Sequence, residues 1–397
     1  MSIIDSTIWW QVFPLGACGA PIRDREADDS GHRLLALEPW LDYLIGLGCN
    51  GLLLGPIFES VSHGYDTLDH FRIDRRLGND ADFDHLMEAC AIRGIRVMLD
   101  GVFNHVSSRH PHVAELAARG TDGEYRTWEG HSDLITLDHE RPEVADLVVD
   151  VMEYWLGRGI SGWRLDVAYE VPPEFWKSVL GRVRKDYPDA VFLGEVIHGD
   201  YPAFVEASSV DTLTQYELWK AIWSSLKETN MWELAWSLGR HTTFQKTFVP
   251  QTFIGNHDVE RIASQVGPSR AILAAGLLMT IPGMPSIYYG DEQGFRGRKL
   301  EGFHADDELR PPLPARPEDL LPAGETFYRM YRSLITLRRQ HPWIARATLT
   351  VTGKQNDWIA YTVAGSDTQC LNVRVELAPR EGIEVLEGSR SLLSWHS

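Results

Sequence analysis

Four acidic residues and one arginine stand where short β-branched or apolar runs end. They are Asp100 in MLD, Arg164 and Asp166 in WRLD, Glu195 in LGE, and Asp258, preceded by His257, in GNHD. One acid at a strand end is ordinarily a turn former or a helix cap. Several brought together would repel one another beside an apolar core and cost stability, so their retention points to chemistry. Two carboxyls in different surroundings are what cleavage of a glycosidic bond needs: one donates a proton, and the other attacks carbon or activates water. A separation of about 5–5.5 Å gives a covalent glycosyl-enzyme and retention, whereas a wider gap admits a water and inverts; residue spacing leaves that choice open.

These side chains meet only if the strands carrying them converge. To about residue 340, short β-type runs alternate with longer segments of helical period, the signature of repeated βα units with parallel strands. The runs are 8–13, 51–54, 96–100, 162–166, 191–195, 212–215, 252–255 and 286–289. Eight of them predict a TIM (β/α)8 barrel, in which strand C-termini share one mouth and that mouth holds the active site. Between the strands, Phe83, Leu86, Met87 and Cys90 fall at helical spacing, as do Val144, Leu147, Val148, Val151 and Trp155. Pro142 suits a helix start and Gly157 a stop. Residues 105–140 form a short insertion after the third strand. Past residue 342 the pattern changes to TLTVTG, WIAYTV, LNVRVEL and IEVLEG, without helical period. The expected organisation is a catalytic barrel over 1–342 and a small all-β domain over 343–397.

Several segments carry a specific resemblance: GYDTLDHFRID at 64–74, DGVFNH at 100–105, GWRLDVAYE at 162–170, GEV at 194–196 and GNHDVERI at 255–262, followed by IPGMPSIYYGDE at 281–292. In type and order they resemble the α-amylase family over nearly the whole chain. The resemblance implies Asp166 as nucleophile, Glu195 as acid/base, and Asp258 as the carboxylate that holds sugar hydroxyls and helps distort the ring. It further implies that Arg164 keeps Asp166 ionised, that Glu195 has a raised pKa, and that Asp100 is a structural partner of Arg164. His105 and His257 match hydroxyl-binding histidines and Tyr65 a stacking aromatic, with Asp66 beside it also assigned to substrate. VAYE at 167–170 is similar to the VANE of cyclomaltodextrinases and neopullulanases, so Tyr169 and Glu170 are expected to border the leaving-group side. The N-terminal domain of that group is expected to be absent, which would put its dimer and its cyclodextrin preference in question. After the eighth strand, Asp307 and Arg310 are candidates for the other side of the cleft. Asn104 matches a calcium-binding position of many relatives, but no DxDxDG-type loop supplies the six or more oxygens calcium wants; no metal site is assigned and no cofactor is expected.

The bulk composition agrees with a neutral ligand. A net charge of -18 without a basic cluster argues against nucleic acid or an anionic membrane surface as partner. Fourteen Trp and 13 Tyr offer faces for stacking on sugar rings. Four scattered cysteines, Cys18, Cys49, Cys90 and Cys370, read as reduced thiols, and with no signal-type start or bilayer-spanning run the expected location is cytoplasmic. Oligomeric state is left open. The reading is retaining hydrolysis of α-glucosidic bonds in small, cyclic or branched malto-oligosaccharides. Its alternatives are a transglycosylase or sugar isomerase using the same intermediate, and a non-catalytic binding subunit.

Overall fold

The computed structural model describes residues 2–22, 30–302, 305–366 and 368–397. Eight short strands form one sheet: β1 (Trp9–Val12), β2 (Gly51–Leu54), β3 (Arg96–Gly101), β4 (Gly162–Leu165), β5 (Val191–Gly194), β6 (Thr212–Leu213), β7 (Gln251–Phe253) and β8 (Met284–Tyr288). Their order is β6-β5-β4-β3-β2-β1-β8-β7, with every pair parallel. One parallel bridge, Thr214 to Gln251, joins the two ends of the sheet. The architecture is the TIM barrel.

Strand sequence dictates what fills it. Residues of β2 and β5 are buried on both faces, as strands sandwiched between lumen and helices must be. Trp9, Leu53, Met98, Leu193 and Met284 form a cluster of their own that plugs the lumen. Their alternate neighbours, among them Trp10, Leu52 and Leu54, join the larger outer core. There Trp10 stacks on Trp40, ring centroids 6.1 Å apart.

The outer layer comprises α1 (Glu38–Leu47), α2 (Asp80–Ile92), α3 (Pro142–Gly157), α4 (Pro173–Val183), α5 (Tyr201–Ser208), α6 (Tyr216–Glu228), α7 (Met231–Phe244), α8 (Pro268–Thr280) and α9 (Glu325–Gln340). Asn79 and Asp82 satisfy each other's backbone amides in a capping box that starts α2. Pro142 opens α3, whose buried stripe is Val144, Val148, Val151, Met152 and Trp155; Leu147, expected on that stripe, is only half-buried. Arg338 of α9 is buried without a carboxylate partner among the described residues and donates to the carbonyls of Met279, Ile281 and Gly283 at 3.1, 2.8 and 2.5 Å, tying α9 to the entry of β8.

Two antiparallel excursions rise beside the barrel mouth. Phe58–Ser60 pairs with Thr67–Ile73 in a hairpin after β2 that the charged run GYDTLDHFRID does not announce, and Tyr65 lies in its connection. After β3, the strands His105–Ser107, Thr127–Trp128 and His131–Thr136 form a small sheet. Its turn uses Glu129 (φ 48°) and Gly130 (φ 79°), the pair of left-handed residues that a tight hairpin requires.

The C-terminal sheet is an antiparallel meander: β9 (Thr348–Lys354), β10 (Trp358–Ala364), β11 (Cys370–Glu376), β12 (Gly382–Glu387) and β13 (Arg390–His396). The fifth strand, RSLLSWH, was not expected: it has no buried residue, so no alternation marks it. The sheet's inner face packs on the barrel helices, with Tyr361 Oη 2.6 Å from Thr280 Oγ1 and Ile383 fitted against Gly276. All four cysteines are free thiols. No helix among the described residues is long and apolar enough to cross a membrane.

Two glycines test the packing in opposite directions. At Gly162 a Cβ would collide with the Val191 backbone, so β4 and β5 must part; at Gly181, in α4, it meets nothing within 4 Å. Gly162→Ala is expected to destabilise by about 2–3 kcal/mol, and Gly181→Ala to stabilise by about 0.5–1 kcal/mol through helix propensity. Urea unfolding midpoints check both signs.

Candidate active site

The barrel mouth holds a cleft of about 500 Å³. Its floor is built around Arg164, which ends β4 pointing into the barrel and is 3% exposed at the side chain. Nη1 lies 2.6 Å from both oxygens of Asp100, from β3, and 3.1 Å from Asp166 Oδ1. Nη2 lies 2.8 Å from Glu195 Oε1, just past β5. One guanidinium therefore touches three carboxyls from three strand ends. Glu195 also accepts from the Tyr216 hydroxyl at 3.1 Å, itself held by Asn256 Nδ2 at 2.8 Å, and from the Val167 amide at 3.0 Å. Val167 is a β-branched residue at φ 49°, ψ 39°, an outlier that costs of order 1–3 kcal/mol; its turn aims the amide beside Asp166 at Glu195.

Asp258 follows β7, and its side chain is one-third exposed to the cleft. It takes His257 Nε2 at 3.0 Å and Arg310 Nη2 at 3.1 Å. Arg310 also binds Asp306 at 2.9 Å and covers the Phe13 ring at 4.3 Å. Tyr65 donates to Asp100 at 3.0 Å, makes a short contact with His257 Nε2, and stacks on that imidazole with planes 6° apart. His105 donates from Nε2 to the Tyr65 carbonyl at 3.1 Å and accepts from Asn104 at Nδ1. Its ring lies parallel to Trp128 at 5.9 Å, and Trp128 meets Tyr169 edge-on.

The structure thus gathers Asp166, Glu195, Asp258, Tyr65, His105 and Tyr169 along the cleft wall, with Arg164 and His257 buried behind them. Asp66 and Glu170 do not line the cleft. Asp66 is buried and accepts from Ser62 N at 3.1 Å and Ser62 Oγ at 2.6 Å, locking the hairpin connection. Of the segment after β8, Arg310 reaches the site while Asp307 does not line it, and residues 303–304 lie outside the described residues. Sequence reasoning missed Trp128, Glu129, Tyr216, Asp306 and Lys299, all on the wall. Tyr216 had a signal in its position just after β6, and Lys299 and Asp306 lie in the charged segment after β8 that also supplies Arg310.

Charge is crowded here: four carboxyls face the guanidiniums of Arg164 and Arg310. Burial pushes Asp166 well above the ordinary carboxylate range, Glu195 adds to the push, and Arg164 opposes it. Arg164 is shared three ways, so its pull is divided among Asp100, Asp166 and Glu195. Burial also works against the charge on Asp258, but His257, Arg310 and Arg164 prevail and hold that carboxyl below its usual range. Burial pushes His105 down to about 4. Asn104 donates from Nδ2 to His105, and no group of three or more His, Cys, Asp or Glu among the described residues is arranged to hold a metal ion.

A model of the alpha-amylase catalytic domain matches residues 33–132 and 120–320. A maltogenic alpha-amylase of Bacillus acidopullulyticus is 30% identical over 421 residues, covering 92% of this chain and 68% of its own length. An intracellular maltogenic amylase of Bacillus subtilis is 32% identical over 340 residues, covering 74% of this chain and 56% of its own. Among solved structures, a cyclic alpha-maltosyl-(1→6)-maltose hydrolase from Arthrobacter globiformis superposes with a TM-score of 0.83 at 25% identity, covering 100% of this chain and 99% of that one. It has been seen ligand-free, with that cyclic sugar and with maltose.

His105 makes stability depend on pH. The folded ring titrates at about 4 and the ordinary ring at 6.5; between those values the unfolded chain holds the extra proton, so stability falls as pH falls. The stability advantage of wild type over His105→Gln is expected to shrink by about 2 kcal/mol from pH 7 to pH 4.5, read from denaturant unfolding at the two pH values.

Proposed function

The chain belongs to the α-amylase family of glycosidases, and we propose that it hydrolyses α-glucosidic bonds of small, cyclic or branched malto-oligosaccharides with retention at the anomeric carbon. The observation that carries this reading is the contact of one guanidinium with both Asp166 and Glu195 at the cleft floor. In the first step Asp166 attacks the anomeric carbon, the bond to the leaving oxygen breaks, and Glu195 gives that oxygen its proton. In the second, Glu195 takes a proton from water, whose oxygen attacks the same carbon and frees Asp166. Because Arg164 touches both carboxyls, a proton moving from one to the other leaves the charge beside it unchanged.

Asp258, held charged by His257 and Arg310, is assigned to hydroxyls of the sugar being cleaved. His105 donates from Nε2 to the Tyr65 carbonyl, which fixes its ring on the cleft wall. Tyr65 supplies an aromatic face and Tyr169 borders the leaving group. Support for a small or cyclic substrate comes from the Arthrobacter hydrolase, matched over its full length and known with cyclic and linear maltosyl ligands. The name of the Bacillus subtilis relative supports a site of action inside the cell.

The test is a product chromatogram of wild type, Asp166→Asn and Glu195→Gln on maltooligosaccharides, cyclodextrins, panose, isomaltose and cyclic maltosyl-maltose, with the anomer formed followed by NMR. Wild type is expected to release α-configured products, and each variant to lose about 10³-fold or more in kcat/KM on natural sugars. Glu195→Gln should lose far less on an aryl glycoside whose leaving oxygen needs no proton. A β-configured first product rules out retention, and variants as active as wild type rule out these roles.

A further inference from the structure

Beyond the catalytic cleft, a second groove of about 340 Å³ lies between α6 and α7, within the size range of small-ligand sites. Tyr216 and Ile197 line both spaces, so the groove continues the cleft. The connection is on the side of Glu195, since Tyr216 donates to its carboxyl and Ile197 follows it by two residues.

The groove presents two indoles, each braced on one face. Trp219 stacks on Phe253 with planes 14° apart. Trp236 carries the Arg240 guanidinium 5.2 Å from its ring centre, and Arg240 is itself fixed by Glu217 at 2.6 and 2.9 Å. Trp236 is nevertheless 64% exposed, so a flat apolar face is left open to solvent. Glu217, Lys220 and Glu233 stand around it. An apolar plate ringed by hydrogen-bonding groups complements a pyranose, whose C–H face is apolar and whose edge carries hydroxyls.

We infer that this groove binds further α-linked glucose units on the leaving-group side of the scissile bond, with Trp236 as the stacking platform that sets the preferred length beyond that bond. The inference rests on the reading of Glu195 as acid/base: the leaving oxygen faces the proton donor, so chain departing past Glu195 runs toward Ile197 and Tyr216 and from there onto α6 and α7.

The experiment measures kcat/KM of wild type, Trp236→Ala and Trp236→Phe across maltotriose to maltoheptaose, with circular dichroism confirming the folded state. The ratio of wild type to Trp236→Ala is expected to grow with chain length, reaching about tenfold at maltoheptaose, the size of one aromatic contact. The loss should sit in KM, and Trp236→Phe should recover most of it. A ratio that stays flat along the series overturns the groove while leaving the hydrolytic reading intact. A wild type that cleaves no member of the series or of the wider sugar panel removes the hydrolytic reading and the groove together.

Discussion

A buried guanidinium that must neutralise more than one carboxyl shapes everything around it. Arg164 has no exit to solvent, so its charge has to be met where it lies, and the strands β3 and β5 on either side of β4 bring Asp100 and Glu195 to meet it. Asp100 takes the strongest share, with both oxygens at 2.6 Å, and serves as the fixed counter-ion. Asp166 and Glu195 then compete for what remains, which is why one cation leaves a residual affinity for protons at the cleft floor. Breaking such a buried set by removing one partner is far more costly than any surface ion pair. Register across β3, β4 and β5 is thereby tied to the chemistry: a shift of one strand by one residue would turn its acid to the helix side.

The rim is arranged in a different way. Asp258 is partly open and relies on two cationic or hydrogen-bonding neighbours that arrive from elsewhere, His257 from its own turn and Arg310 from the long segment after β8. Tyr65, His257 and Phe13 stack in series, so one wall of the cleft is a pile of rings whose order comes from van der Waals contact. The opposite wall, Trp128 against His105 and Tyr169, is supplied by the small sheet after β3. Core strands place the reacting carboxyls, and excursions from the barrel place the surfaces that a sugar would touch, the division of labour expected of a rigid scaffold and its loops.

The barrel was legible because its strands are short apolar runs at regular spacing and its acids sit at their ends; Asp100, Asp166, Glu195 and Asp258 all stand where that reasoning puts them. What escaped was set by contacts distant in sequence. Trp128 lies in a stretch of polar and glycine residues with no periodicity, and only the pairing of Thr127–Trp128 with His131–Thr136 brings it over His105. Asp66 and Glu170, adjacent to residues that do line the cleft, were assigned with them, yet successive side chains face different ways and neither of the two reaches it. The outermost strand β13 escaped for the converse reason: it buries no residue, and edge position is a tertiary fact that leaves no mark on composition.

The ring of strands is uneven. Most neighbouring pairs share three or four registered residues, whereas β5 and β6 share two and β6 meets β7 through the bridge at Thr214 and Gln251. A closed barrel resists distortion only as well as its shortest seam, because opening a local stretch costs the hydrogen bonds that span it. This seam is flanked by Tyr216 and by the β7 turn bearing Asn256, the two residues that together hold Glu195 from the far side. The least-bonded seam of the barrel therefore lies next to the carboxyl assigned to proton transfer, while Arg164 and Asp100 stand on β4 and β3, which share four registered pairs. Glu195 thus follows a strand bonded firmly on one side and sparsely on the other.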